Sequence, residues 1–314
     1  MTEFGVATTD EFANLEAVGA IRAREKSPKP IIAITYSARQ FHGDRTLRLA
    51  AAGVPVLDGN ATAMRALKHA FAYRDFQAVC EQGAEAMPSA PDRAVLRGKL
   101  LAARAGGEVA ALDLLSAAGI ATIPSRRVGN EAELRAACQA LGFPVALKTA
   151  AGHAHKSDVG GVALGLGDEA AALAAYRDLS RRLGPAATLQ PMAGPGVELA
   201  LGVVNDADFG PVVMAASGGV LIELLDDPVF ELAPVGPARA TAMIARLKCS
   251  RLLDGYRGAP PADRVGVADM ICRLSVLAIE LRDDIAAIDL NPVAAGPRGA
   301  VAVDALITFK PSST

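Results

Sequence analysis

The strongest constraint on the fold lies near the C-terminal end, in the run AIDLNPVAAGPRGAVAVDAL at residues 287–306. Two apolar, β-prone stretches flank Gly296-Pro297-Arg298-Gly299, a turn sequence, which predicts a hairpin of two strands, Ala286–Val293 and Ala300–Ile307. If the hairpin folds symmetrically about Pro297 and Arg298, Asn291 comes opposite Asp304. Cross-strand neighbours on one face have Cβ atoms about 4.5–5.5 Å apart. Asp289, two residues before Asn291, shares that face. A carboxylate at Asp304, in a strand otherwise built of Val and Ala, is costly unless something pairs with it. Oxygen ligands from Asn and Asp suit Mg²⁺, a hard ion that also takes phosphate oxygens. An edge hairpin with its polar face in water fits the same pattern equally well.

Such a hairpin needs a core to lie on, and the chain has the apolar mass for one. It holds 314 residues, 51% of them hydrophobic and 21% charged, which suits two globular domains rather than a disordered chain. Lys and Arg number 32 against 34 Asp and Glu, a balance that argues against a general nucleic-acid binder. No apolar run approaches the roughly 18 residues of a membrane span. The opening MTEFGVATTDEF carries acids where a secretory leader would carry bases. Cys80, Cys138, Cys249 and Cys272 form no CxxC and read as buried thiols in a reducing compartment. A soluble, cytoplasmic protein without nucleic-acid or membrane partners is expected.

Residues 1–29 read as an arm or an isolated helix. Ile31–Thr35 and Val54–Leu57 read as strands, Arg39–Ala52 and Ala61–Tyr73 as helices. This is a parallel α/β unit with only two clear strands, too few for a doubly wound domain. Gln77–Arg97, with Met87-Pro88-Ser89-Ala90-Pro91, reads as an irregular linker. Helices follow at Gly107–Ala118 and Glu131–Leu141, each stopped by a glycine, then a strand Val145–Lys148, the loop Ala150–Gly161 and a strand to Leu166. Glu169–Leu183 reads as a helix. Thr188–Met192, Glu198–Val204 and Pro211–Ala215 are short β-rich runs. Gly218-Gly219 reads as a turn into a strand, Val220–Glu223. Arg239–Leu247 and Arg264–Leu281 read as helices.

The stretch FPVALKTAAGHAHKSDVGGVALGL holds a second candidate site. Lys148 ends an apolar strand, where a cation needs an anionic partner. Gly160 and Gly161 permit backbone shapes closed to other residues and can present N–H groups to an anion. His155, among Lys156, Ser157 and Asp158, is able to accept a phosphoryl group and pass it on. A surface turn with a solvated histidine fits these residues as well. His153 and His155 lack a third ligand at metal spacing. In GVELALGVV, Glu198 alternates with Ala200 and Gly202, a small-residue face that leaves room for a ligand or for close backbone packing. Arg257, in the loop Asp254–Gly258, reads as an exposed side chain or an anion contact.

Taken in order, LLSAAGI, GFPVALKTAAGHAHKSDVGGVALGL, LQPMAGPGVELALGVVNDADFGPVVM, SGGVLIELLDD, LLDGYRGAPPAD and AIDLNPVAAGPRGAVAVDAL make residues 107–307 resemble the ATP-grasp half of the NDP-forming acyl-CoA synthetases, which include the ADP-forming acetyl-CoA synthetases. The more distant succinyl-CoA synthetases look similar at the HKSDVGG-type loop, the GGV-x-IE stretch and the final hairpin. Residues 30–76 resemble the end of the flavodoxin-like CoA-ligase domain that precedes the ATP-grasp in fused synthetases. The resemblance implies an α/β and α+β chain. It divides into an arm at 1–29, a partial flavodoxin-like α/β unit with linker at 30–95 and an ATP-grasp domain at 96–314.

The resemblance also implies a reaction, acyl-CoA + ADP + phosphate ⇌ acid + CoA + ATP, with the phosphoryl group travelling on histidine. Lys148 matches the phosphate-contacting lysine. Gln190-Pro191-Met192 matches the hinge whose backbone reads adenine, and Glu198 lies just beyond, near the ribose. Asn291 and Asp304 match the Mg²⁺-binding pair. Asp289 matches the acid that orients the phosphohistidine, and His155 a second histidine that ferries phosphate to the nucleotide. Glu223 matches a further family position and joins His155 and Asp289 in the catalytic set. A metal and a lysine that neutralise charge on a transferring phosphoryl group fit the physics of such a reaction.

Two family features have no match. There is no Gly-rich CoA-binding domain, and neither His42 nor His69 matches the primary phosphohistidine. The resemblance therefore implies a CoA-binding partner chain or domain and an oligomer. Two other functions suit parts of the pattern. One is a non-catalytic, nucleotide-sensing module, as in synthetase-like regions fused to lysine acetyltransferases. The other is an ATP-grasp carboxylate–amine ligase, against which the loop histidine counts.

Overall fold

A computed structural model of the chain describes residues 10–26, 28–34, 44–81, 86–150, 159–219 and 221–311. The chain forms two compact units, Met1–Ala84 and Glu85–Thr314. The first contains α1 (Asp10–Lys26), β1 (Ala33–Ile34), α2 (Asp44–Ala51), β2 (Val56–Leu57) and α3 (Asn60–Glu81). Its two strands pair in parallel, Ala33 with Val56 and Ile34 with Leu57. Gly53, at φ +73°, turns the chain from α2 toward β2 in a conformation that favours glycine. Leu49 and Val54 form a small core on which Ala20 and Ile21 of α1 pack, so this helix is not an isolated arm. Helix α3 continues to Glu81, into the stretch expected to begin the linker, because residues 74–81 contain neither Gly nor Pro to stop it. Leu47, Met64, Phe71 and Tyr73 are left exposed, as expected of an α/β unit with so short a sheet.

The second unit opens with α4 (Arg93–Ala117), capped where Asp92 accepts the Ala94 N–H at 2.7 Å. Gly107, at φ +66° and ψ −152°, breaks it into helical segments 93–106 and 108–117. The second segment is the helix expected after Gly107; the first occupies sequence expected to be partly irregular. Then come β3 (Arg126–Val128), α5 (Glu131–Leu141), β4 (Val145–Thr149), β5 (Val162–Leu166), α6 (Glu169–Leu183) and β6 (Ala187–Pro191). These strands form an antiparallel sheet in the order β3-β6-β4-β5. Helices α5 and α6 start on side-chain caps from Asn130 and Asp168 and bury Leu134, Leu173, Tyr176 and Leu179 against Val145, Leu147 and Leu189.

The remaining elements are β7 (Val197–Asp206), β8 (Gly210–Ser217), α7 (Leu221–Leu225), β9 (Val229–Leu232), α8 (Pro237–Arg246), α9 (Ser250–Leu253), α10 (Arg264–Glu280), β10 (Ile285–Gly296), β11 (Gly299–Ala302) and β12 (Leu306–Phe309). They build a six-stranded sheet ordered β11-β10-β7-β8-β9, with β12 also on β10. Its core joins Leu199, Leu201 and Ile288 to α4, α8 and α10 through Leu115, Met243 and Ile271. The segment after Gly218-Gly219 is the short helix α7, not a strand. The place beside β8 is taken by β9, so the backbone of α7 is satisfied locally, Leu221 N–H by Gly218 O and Ile222 N–H by Gly219 O.

The final hairpin has the symmetric register. Gly296 pairs with Gly299 and Val293 with Ala302; the same register resumes where Asp289 pairs with Leu306 and Ile288 with Ile307. Between these ladders residues 303–305 leave the sheet, so the expected second strand becomes β11 and β12. Pro292, which has no N–H to give, lies opposite the break. Counting in the same register sets Asn291, within β10, opposite Asp304, in the break, and the Val303 N–H still bonds to Pro292 O at 3.0 Å across the hairpin.

Asp227 ties the end of β8 to the chain after α8. It accepts the Ser217 N–H at 3.0 Å, the Ser217 hydroxyl at 2.8 Å and the Lys248 N–H at 2.7 Å. Burial alone would raise its pKa; the bonds from Ser217 and Lys248 outweigh burial and hold it below the usual carboxylate value. A carboxyl depressed in the folded state stabilises above its unfolded pKa of about 3.9 and loses that contribution as pH falls through the folded value. Asp227→Asn is therefore expected to destabilise the protein by about 1–3 kcal/mol at neutral pH. Urea unfolding at pH 7 and at pH 3 checks this: the difference between the two proteins should shrink in acid.

Candidate functional site

Lys148 lies near the end of β4, and every residue of that strand is buried. Its side chain is only 8% exposed, and a buried ammonium must find acceptors. Lys148 Nζ donates to Glu108 Oε1 at 3.1 Å and to the Val303 carbonyl at 3.0 Å, and lies 3.6 Å from Asp304 Oδ2. Glu108 opens the second segment of α4, and residues 303 and 304 belong to the break in the hairpin. Three parts of the unit meet at one charge.

Gln190, on the neighbouring strand β6, faces the same side of the sheet, since Ala146 pairs with Gln190 and Lys148 with Thr188. Its side-chain Nε2 donates to Glu108 Oε1 at 3.0 Å, Ser125 Oγ at 2.9 Å and the Val303 carbonyl at 3.2 Å. Its Oε1 is buried without a hydrogen-bond partner among the described residues, an acceptor suited to a ligand's N–H or O–H. Met192, just beyond, is partly exposed; its backbone N–H donates to Pro144 O at 3.0 Å, and its sulfur accepts the Gly165 N–H at 3.3 Å.

The carboxylates gather at the hairpin. Asp289 is exposed on β10, yet partial withdrawal of its carboxyl from water raises its pKa, and the nearby charge of Asp304 raises it further. Asp304 Oδ1 accepts the Ala305 N–H at 2.8 Å. Asn291 Oδ1 accepts a long bond, 3.4 Å, from the Gly219 N–H. Among the described residues no group of three or more His, Cys, Asp or Glu could hold a metal. Asn291 and Asp304 carry side-chain oxygens, the donor type that suits a hard cation such as Mg²⁺.

Glu198 is exposed at the start of β7. Its Oε2 lies where a side chain on Gly219 would go: a Cβ there would be 1.8 Å away, and Gly219 has φ +56°. Beside them is an apolar cavity of about 530 Å³, lined by Pro195, Glu198, Gly218, Leu221, Leu252 and Tyr256 among others. Gly160, exposed at φ +62°, and buried Gly161 close the loop after β4. Arg182 donates to the carbonyls of Val159 and Gly160 at 3.3 and 2.9 Å, and Thr149 N–H to Gly161 O at 2.7 Å. Arg257 is exposed and lies over the Tyr256 ring. His155 lies outside the described residues. Glu223 lies on α7, where only the backbone is described.

The structure thus brings together Lys148, Gln190 and Asp304, places Asp289 near Asp304, and links Asn291 to the Gly219–Glu198 turn. Glu108, Val303 and Ser125 were not singled out from the sequence. An acid after a glycine pair at a helix start reads as an ordinary first-turn acid, and a carbonyl carries no sequence signal.

A model of the ATP-grasp domain matches residues 102–309. The chain belongs to the ATP-grasp family. The ATP-grasp region is 37% identical over 201 residues to an ADP-forming acetate–CoA ligase of Archaeoglobus fulgidus, covering 62% of this chain and 29% of that protein. This chain thus spans less than a third of that relative. It is 34% identical over 207 residues to the beta subunit of an ADP-forming acetate–CoA ligase of Pyrococcus furiosus, covering 63% of this chain and 89% of the subunit. A dinucleotide-forming acetyl-coenzyme A synthetase of Ca. Korarchaeum cryptofilum, solved with coenzyme A, Ca-AMPCP and HgCl⁺, superposes with a TM-score of 0.64 and 37% identity. The match covers 68% of this chain and 99% of that one.

Gly219→Ala must shift Glu198 and strain the turn by about 1–2 kcal/mol. The melting midpoint is expected to fall by several degrees, a size set by about 1–2 kcal/mol in a domain this large. A thermal melt beside Glu198→Ala/Gly219→Ala checks the cause: the double variant should recover the part due to the clash.

Proposed function

We propose that this chain is the nucleotide-binding half of an NDP-forming acyl-CoA synthetase, catalysing with a CoA-binding partner acyl-CoA + ADP + phosphate ⇌ acid + CoA + ATP. The observation that carries this reading is coverage. The ATP-grasp region spans 89% of a separate beta subunit of an ADP-forming acetate–CoA ligase, so a region of this extent works elsewhere as a subunit beside others. Residues 1–84 form a separate unit, read as the remnant of a flavodoxin-like CoA-ligase domain. The whole is an oligomer of the cytoplasm. Buried Cys138, Cys249 and Cys272 support a reducing compartment, and no helix among the described residues is long and apolar enough to cross a membrane.

In this reading ADP or ATP lies between the two sheets of the second unit. Lys148 contacts its phosphates, and the hinge Gln190–Met192 meets the base. Because the Met192 N–H is held by Pro144, the hinge offers the base carbonyls and the buried Gln190 Oε1 as acceptors. Glu198 takes the ribose side, and Gly160 and Gly161 close the phosphate loop. Asn291 and Asp304 hold Mg²⁺, whose contribution when bound is to neutralise phosphate charge. Asp289, exposed on β10, orients the incoming phosphohistidine of the partner. His155 receives the phosphoryl group and hands it to the nucleotide. Glu223 stands with this catalytic set.

Calorimetric titration with ADP and ATP, with and without Mg²⁺, tests the nucleotide site; Mg²⁺-dependent binding is expected. With a CoA-binding partner present, His155→Ala and Asp304→Ala are each expected to cut labelled phosphoryl transfer by at least about a hundredfold. Asp304→Ala should also abolish the Mg²⁺ dependence of ADP binding. Full transfer in both variants would overturn the proposal.

A further inference from the structure

The phosphate lysine of this site is not held by the hairpin alone. Four groups meet in mutual contact: two donors, Lys148 Nζ and Gln190 Nε2, and two acceptors, Glu108 Oε1 and the Val303 carbonyl. Each donor contacts both acceptors, at 3.1 and 3.0 Å from Lys148 and at 3.0 and 3.2 Å from Gln190. Glu108 and Lys148 are both 8% exposed at the side chain, and Gln190 is fully buried.

An ammonium carries three N–H groups in tetrahedral array. Two of those of Lys148 are committed to Glu108 and Val303, which fixes the direction of the third. Asp304 Oδ2, at 3.6 Å, is within ion-pair range but long for a hydrogen bond. A free lysine on a four-carbon stem would have to be ordered each time a phosphate bound. Here the ordering is done in advance. The anchor exists because Gly107 breaks α4, so the helix restarts with Glu108 aimed at the sheet instead of continuing past it.

We propose that Glu108 is a positioning residue: it holds Lys148 ready for the nucleotide phosphates, and Gln190 in turn holds Glu108. This rests on the nucleotide reading of the site above. Glu108 acts through Lys148 and touches no substrate. Its removal should therefore weaken binding of phosphate-bearing ligands, leave binding of the bare nucleoside nearly unchanged, and have no further effect once Lys148 is gone.

The test is calorimetry on the full chain with Mg-ADP and with adenosine, for the unmutated protein, E108Q, K148M and E108Q/K148M, each with a thermal melt. E108Q is expected to raise the Mg-ADP Kd by about tenfold, the loss expected on weakening one charge-assisted hydrogen bond. Adenosine affinity should stay within about twofold, well under the tenfold that one such bond is worth. The double variant should bind Mg-ADP no more weakly than K148M. Unchanged Mg-ADP affinity in E108Q, equal losses for ADP and adenosine, or losses that multiply in the double variant would each overturn the proposal. If E108Q melts too low to titrate, E108D keeps the charge but withdraws it by one methylene, and unaltered Mg-ADP affinity there overturns the proposal too. Absence of Mg-ADP binding in the unmutated chain would overturn the nucleotide reading itself, and this proposal with it.

Discussion

The buried ammonium of Lys148 is the constraint around which the second unit is arranged. It belongs to the four-stranded sheet, yet its acceptors come from a helix restart at Glu108 and from a break in the six-stranded sheet at Val303 and Asp304. Removing one partner of a buried ion pair typically costs about 3–5 kcal/mol, because the other charge is left without water. That cost makes the spacing of the two sheets depend on the charge between them. A packed apolar contact would tolerate sliding, whereas this one does not.

The two irregularities that supply the acceptors are small. Gly107 interrupts a helix, and residues 303–305 interrupt a hairpin whose register is otherwise continuous. Each turns a polar group that would have been used within its own element toward the neighbouring sheet. At the hairpin the interruption also leaves the Val303 carbonyl and the Asp304 carboxylate beside Lys148. The turn at Gly219 does related work for Glu198, whose carboxylate fits only because no side chain stands there.

The ATP-grasp assignment and this geometry support each other from different sides. The family match rests on sequence over residues 102–309, which include the hairpin and the loop after β4. The contact set at Lys148 comes from the fold of this chain. The packing adds that the lysine is tied at two of its three protons before any ligand arrives. The apolar cavity beside Glu198 and Gly218 is enclosed mainly by carbon, so it offers shape where the Lys148 side offers charge.

Much was legible in the sequence, and the reasons are local. The symmetric register of the last hairpin follows from where its turn residues lie, so Asn291 and Asp304 could be set opposite each other by counting. Lys148 stood out because a cation at the end of an apolar strand demands a partner. The alternation of strands and helices pointed to a parallel α/β unit near the N-terminus, whereas the fold of the second unit was legible only through family resemblance. Other features needed the folded chain. Val220–Glu223 has strand-forming residues, but the place beside β8 was taken by β9, and only tertiary pairing decides that. The helix 93–106 follows prolines that suggested a linker. Glu108 looks like any acid in a first helical turn. Its partners Lys148 and Gln190 lie 40 and 82 residues further along. Sequence determines which groups must find a partner, because burial and charge are written in residue type; which partner they find depends on distances that only packing sets.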